Sequence, residues 1–143
     1  MRDVVDRHAP LLDAVTTPAL VHFDLWQGNI LLDDTSGRWE IAGLIDGERA
    51  MWADPAAEFV SLSLLGNIAH DAEFLAGYRS VRRDFELTSD VLTRVTLYRM
   101  YLDLIMLVEA TPRDYEAGDH AALLKRVAVE LCQCVGQLTG QGV

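Results

Sequence analysis

The sequence predicts a mainly α fold with short β-hairpins, an α+β arrangement, on three observations. Apolar residues recur at helical spacing over five stretches. Helix-starting residues such as Asp54-Pro55 and Thr88-Ser89 stand just ahead of these stretches. Two short apolar runs flank the turn-forming segment Asp33-Asp34-Thr35-Ser36-Gly37. With 143 residues, half of them hydrophobic, the chain can bury a sizeable core and fits a single domain over 1–143. It contains no repeats, low-complexity tracts or linkers.

Residues 3 to 15 carry an apolar stripe of Val4, Val5, His8, Leu11, Leu12 and Val15, and Thr16-Thr17-Pro18 stops this first helix. A short strand follows. Residues 30–32 and 39–45 then pair as a hairpin around the turn at 33–37. At Asp54-Pro55 the Asp is a helix cap, the Pro suits the first helical position, and Glu58 in the first turn complements the helix dipole. That helix is expected to run through Phe59, Val60, Leu62, Leu64 and Leu65 to Gly66-Asn67. A third covers 71–83 with Phe74, Leu75 and Tyr78 inward. Thr88 or Ser89 caps a long helix over 90–110, ended by Thr111-Pro112. Its apolar residues point nearly all round, which predicts a place at the centre of a bundle. A last amphipathic helix covers 115–138, and the tail 139–143 is expected to fray.

A net charge of −10 and a pI of about 4.6 argue against nucleic acid or an anionic membrane surface as the main partner. The charge is compatible with cationic ligands and with plain solubility. Cys132 and Cys134, two apart on a helix, do not face each other, so two reduced thiols are expected rather than a disulfide or a zinc site. No signal peptide is apparent, and Arg94, Arg99 and Asp103 interrupt the most apolar stretch, so no membrane span is expected. A cytoplasmic location follows as an expectation.

The chemistry concentrates in two segments. His22-Phe23-Asp24-Leu25-Trp26-Gln27-Gly28-Asn29 is an H-x-D loop with an Asn five residues after the Asp. Gly43-Leu44-Ile45-Asp46-Gly47-Glu48 is a second apolar run ending in an Asp. The hairpin brings both segments to one end of a small sheet. Phosphoryl transfer needs a carboxylate to take a hydroxyl proton and oxygen ligands for Mg²⁺, and these residues supply both. Asp24 is the expected base, with Asn29 and Asp46 as oxygen donors. Each also has a structural reading: a turn aspartate for Asp24, a strand-entry cap for Asn29, a hairpin-end turn for Asp46.

The pattern resembles the aminoglycoside phosphotransferase and choline kinase-like small-molecule kinases. Their H-x-D-x-x-x-x-N loop precedes an I-D-x-E or I-D-x-D segment, and the run from Arg49 to Phe59 is similar to the continuation seen in that group. The resemblance implies the C-terminal helical lobe of a protein kinase-like fold, with a catalytic loop at 20–32 and a metal-binding loop at 43–48. It further implies ATP or GTP as donor, Mg²⁺ as cofactor, and a small hydroxyl acceptor such as an aminoglycoside, an amino-alcohol or another amino sugar. Glu48 is expected near the metals or beside Arg49, His22 is expected to brace the loop, and Asp54 is read as a helix cap. Trp26 stands where a smaller polar residue or His is frequent, which makes it a candidate wall for a ring-shaped substrate or a surface cover. Gly47 replaces a bulkier residue and is expected to loosen the metal loop.

The only lysine is Lys125, and no Gly-rich phosphate loop occurs. A nucleotide-binding N-terminal lobe is therefore expected to lie outside these 143 residues, on the same protein or on a partner. A non-catalytic binding module built on the same lobe stays open as an alternative, as does an oligomer. Asp103, Glu109, Asp114, Glu116 and Asp119 are read as a solvated helix face rather than as a polyamine site.

Overall fold

The computed structural model describes residues 1–35, 37–110 and 119–140. It is mainly helical with two small antiparallel strand pairs. The chain divides into two compact units, one formed by residues 17–85 and the other by residues 1–16 with 86–143.

The first unit is built on strands β1 (Ala19–Val21), β2 (Ile30–Asp33), β3 (Glu40–Leu44) and β4 (Met51–Ala53). The expected hairpin is β2 with β3, which carries a β-bulge between Leu31 and Leu32. At its tip, Asp33 accepts hydrogen bonds from the backbone N–H and the hydroxyl of Thr35, a turn-forming use of a short acidic side chain. The sequence did not announce β4. It is three residues long and pairs with β1 from 30 residues away, with Leu20 opposite Trp52 and Val21 opposite Met51.

The helix expected from Asp54 to Gly66 is shorter than predicted. A 3₁₀ turn over Pro55–Glu58 leads into one α turn, α2 (Phe59–Leu62). The Ser63 hydroxyl then donates back to the Phe59 carbonyl at 2.6 Å, and Leu65 turns left-handed with φ +56°. A left-handed residue cannot continue a right-handed helix, so the run stops before Gly66. α3 (Ala72–Val81) begins at Asp71, whose carboxylate accepts from the Phe74 N–H at 2.9 Å. Phe59, fully buried, is the hub of this unit. Phe74, Tyr78 and Phe85 meet its ring edge-on with centroids 5.1–5.5 Å away, the favoured arrangement for aromatic quadrupoles. Burial in this cluster pushes the Tyr78 phenol above its ordinary pKa.

The second unit comprises α1 (Arg2–Asp13), α4 (Ser89–Glu109) and α5 (Asp119–Thr139), with α4 packed on both of the others. Val4, Leu97, Met100, Leu131, Cys134 and Leu138 form its buried core. Thr88 is the residue that caps α4, accepting from the Val91 N–H. The expected helix stop at Thr111-Pro112, the first residues of the last helix (115–118), and tail residues 141–143 lie outside the described residues. Both cysteines are free, Cys132 exposed and Cys134 buried. Among the described residues no helix is long and apolar enough to cross a membrane.

One expectation about α4 is overturned. Asp103 is not on a solvated face: it is 1 % exposed, with Glu130 of α5 among the charges that act on it. Glu109 is half-buried, while Asp114, Glu116 and the side chain of Asp119 lie outside the description.

The Phe59 hub gives a direct test. Phe59→Ala removes a buried ring together with three edge-on contacts and is expected to lower stability by about 3–5 kcal/mol, read from urea unfolding.

Candidate active site

The first of the two loops begins where β1 ends. β1 delivers His22, Phe23 and Asp24 into a loop, and a 3₁₀ turn over Gln27–Asn29 hands the chain to β2. Phe23 is fully buried with φ +60°, a conformation that an aromatic L-residue adopts only under outside constraint. The constraint is Glu58. Its carboxylate accepts hydrogen bonds from the backbone N–H groups of His22 at 2.6 Å and Phe23 at 3.2 Å. The Ser61 hydroxyl, itself bonded to Glu58, accepts from the Leu25 N–H at 3.0 Å. The 3₁₀ turn after Asp54 therefore holds the loop by its backbone. Asp54 is buried and caps that turn, accepting from the Ala56 N–H at 3.0 Å.

Ile45 ties the second segment to the first. Its N–H donates to the Asn29 carbonyl at 3.0 Å, and its own carbonyl lies 2.9 Å from His22 Nε2. A carbonyl only accepts, so Nε2 carries the ring proton and Nδ1 is a buried acceptor with no hydrogen-bond partner among the described residues. His22 thus spans the two loops as a brace. Asp46 follows immediately with φ +61°, so the left-handed residue of this loop is the Asp, not Gly47. Short polar side chains tolerate that region best. Glu48 is exposed in the 3₁₀ turn Gly47–Arg49.

Asn29 is 5 % exposed, and its Nδ2 donates to the Asp24 carbonyl at 2.8 Å. That bond fixes the amide so that Oδ1 is the end left over, bonded to no described residue. Asp24 itself is partly exposed, and its Oδ1 lies 3.5 Å from Arg49 Nη1. The structure therefore gathers Asp24, Asn29, Asp46 and His22 around one pair of loops.

Trp26 is anchored to the same loop through its N–H, which donates to the Asp24 carbonyl at 3.0 Å. Its indole covers Gly28 so closely that a Cβ there would fall 2.3 Å from the ring. Trp26 is 51 % exposed. Sequence reasoning missed two residues here, Glu58 and Arg49. An unaccompanied Glu within the apolar run Ala56-Ala57-Glu58-Phe59-Val60 was the available signal for the first.

Mg²⁺ prefers a few hard oxygen ligands and keeps several waters, and an amide oxygen with one carboxylate fits that demand. Among the described residues no cluster of three or more His, Cys, Asp or Glu side chains is arranged to hold a metal. Any ion here would rest on Asn29 and Asp46 and complete its shell from ligand and water.

The sequence model of the Phosphotransferase enzyme family (APH) matches residues 1–89, more than half of the chain. The chain belongs to that family. The match takes in both loops, the Asp54 turn and Glu58, whereas α4 beyond its first residue and α5 lie outside it. The resemblance read from the two loop motifs is thereby borne out. No curated protein and no solved structure matches the chain.

Glu58→Ala would leave the His22 and Phe23 amides without their acceptor, at a cost of about 1–3 kcal/mol for each buried donor left unpaired. The expected result is faster amide exchange at those two residues by hydrogen-exchange mass spectrometry. Glu58→Gln, which retains one accepting oxygen, should fall between wild type and the alanine variant.

Proposed function

We propose that the chain is the C-terminal lobe of a kinase-like small-molecule phosphotransferase, moving the γ-phosphate of ATP or GTP to a hydroxyl. The observation that carries this reading is the double tie through Ile45, which fixes the loop holding Asp24 and Asn29 to the loop holding Asp46.

In this reading Asp24 accepts the proton of the acceptor hydroxyl as that oxygen attacks phosphorus. Its Oδ1 faces Arg49, which leaves Oδ2, bonded to no described residue, for the hydroxyl. Arg49 holds the carboxylate in place and sets a cation where negative charge develops. Asn29 Oδ1 and the Asp46 carboxylate hold Mg²⁺, which when bound would neutralise charge on the phosphates. Glu48 stands beside this site in a supporting role. His22 keeps the two loops in register and transfers no proton.

Trp26 forms one wall of the acceptor subsite. Its exposed indole suits a ring-shaped acceptor with cationic substituents, through stacking and cation–π attraction. The net charge of −10 favours the approach of an amino sugar or amino-alcohol. The phosphate-gripping lysine and Gly-rich loop come from a companion lobe in this proposal, because Lys125 is the only lysine here. Two free thiols and the need for nucleoside triphosphate fit a cytoplasmic site of action.

Calorimetric titration with ATP and GTP, with and without Mg²⁺, tests the donor half. Mg²⁺-dependent binding that Asp46→Ala abolishes is the expected result; binding indifferent to both metal and Asp46 would sink the assignment. With an acceptor found from a panel of hydroxylated amines, Asp24→Ala is expected to lower kcat by about 10²-fold or more. An unchanged kcat in that variant removes Asp24 from the chemistry.

A further inference from the structure

Asp103 lies in the middle of α4, essentially without exposure, and neither carboxylate oxygen has a hydrogen-bond partner among the described residues. An ionised carboxylate so placed is strongly disfavoured, and the group keeps its proton instead. One helical turn earlier, Arg99 is also buried, and its Nη1 donates to Glu130 Oε1 on α5 at 2.8 Å. One turn beyond Glu130 stands the buried Cys134. Residues four apart share a helix face, so 99 and 103 on α4 look across to 130 and 134 on α5. Among the described residues the groups facing Asp103 are Arg99 on its own helix and Glu130 and Cys134 on α5. On α1, the other helix packed on α4, the His8 ring is engaged with the Val4 carbonyl of that same helix.

Two carboxylates and one guanidinium make an unbalanced buried set, and a single proton restores neutrality. We propose that this triad is a proton-dependent latch between α4 and α5. While Asp103 is protonated, Arg99 reaches across to Glu130 and ties the helices together. When Asp103 releases its proton to solvent, Arg99 turns to the new anion one turn away on its own helix, and the cross-helix tie is lost.

Burial, with the Glu130 charge as a second cause, pushes Asp103 up to about 7 against the opposing pull of Arg99. The same setting, burial first and the Asp103 and Glu130 charges after it, raises the Cys134 thiol to about 12, so the thiol stays neutral and does not compete. An unfolded aspartate loses its proton near pH 4, at about 3.9. Between that value and about 7 the folded chain holds one more proton than the unfolded chain, so the contribution to stability falls as pH rises through this window and is flat above it.

The test is urea unfolding of the full chain from about pH 5 to about pH 8, spanning the folded Asp103 titration, for wild type, Asp103→Asn and Glu130→Gln. It is paired with infrared detection of a protonated carboxyl and with the ¹⁵N resonance of Arg99 Nε. Wild type should lose stability across the window and show a carboxyl band near neutral pH that Asp103→Asn lacks. Comparison with the Asn variant removes the histidine contribution to the slope. Glu130→Gln removes the neighbouring negative charge and should move the carboxyl titration down by about one pH unit or more. The Arg99 resonance should shift with the Asp103 midpoint in wild type. Equal pH slopes in wild type and Asp103→Asn, or an Arg99 resonance unmoved while the carboxyl titrates, would overturn the latch. Should Asp103→Asn not fold, the infrared and Arg99 titrations of wild type and Glu130→Gln decide it.

Discussion

A carboxylate that accepts hydrogen bonds from two successive backbone amides sets the geometry of the candidate site. Glu58 does this for His22 and Phe23, and the left-handed Phe23 it secures directs Asp24 out of the strand line. Backbone strain of this kind costs of order 1–3 kcal/mol and persists only where surrounding groups over-determine it. Here the surroundings are specific: a charged acceptor on one side, a fully buried ring on the other. The short turn that carries Glu58 starts at a buried aspartate and ends at Phe59, the hub of the aromatic cluster. Loop geometry thus rests directly on the core of residues 17–85.

The second layer of order comes from main-chain groups. Ile45 contributes no side-chain chemistry, yet its N–H and C=O bind the two loops at Asn29 and His22. A backbone tie of this sort is insensitive to side-chain replacement at Ile45 and depends instead on the β2–β3 register, which ends at Ile30 opposite Leu44. β1 and β4 add a register of their own, with Asp24 following the one strand and Arg49 preceding the other.

The local parts of this arrangement were legible in the sequence, because each is a short pattern with its own physical reason. The H-x-D loop, the hairpin, the Thr88 cap and the long helices were all of this kind. What the sequence concealed was non-local. β4 has three residues, too few to show alternation. Glu58 read as a first-turn helix acid because its partners lie 35 and 36 positions earlier in the chain. Asp103 read as a surface charge by habit of residue type, although its neighbours Leu102 and Leu104 and the apolar run around them were the contrary signal. The helix after Asp54 was over-extended because apolar spacing does not reveal the left-handed Leu65 that breaks it.

The β2–β3 hairpin has its two ends in different physical situations. At one, Ile30 and Leu44 lead straight into Asn29 and Ile45; at the other, Asp34, Thr35 and residues 37–39 are exposed. Chain length at the tip is thus decoupled from the spacing of the two loops. Closing a longer loop costs only about 0.6 kcal/mol for each doubling of its length. The tip is accordingly the natural point of entry for an epitope, a fluorophore or a spin label, and a place where related chains can differ in length while keeping the same pair of loops.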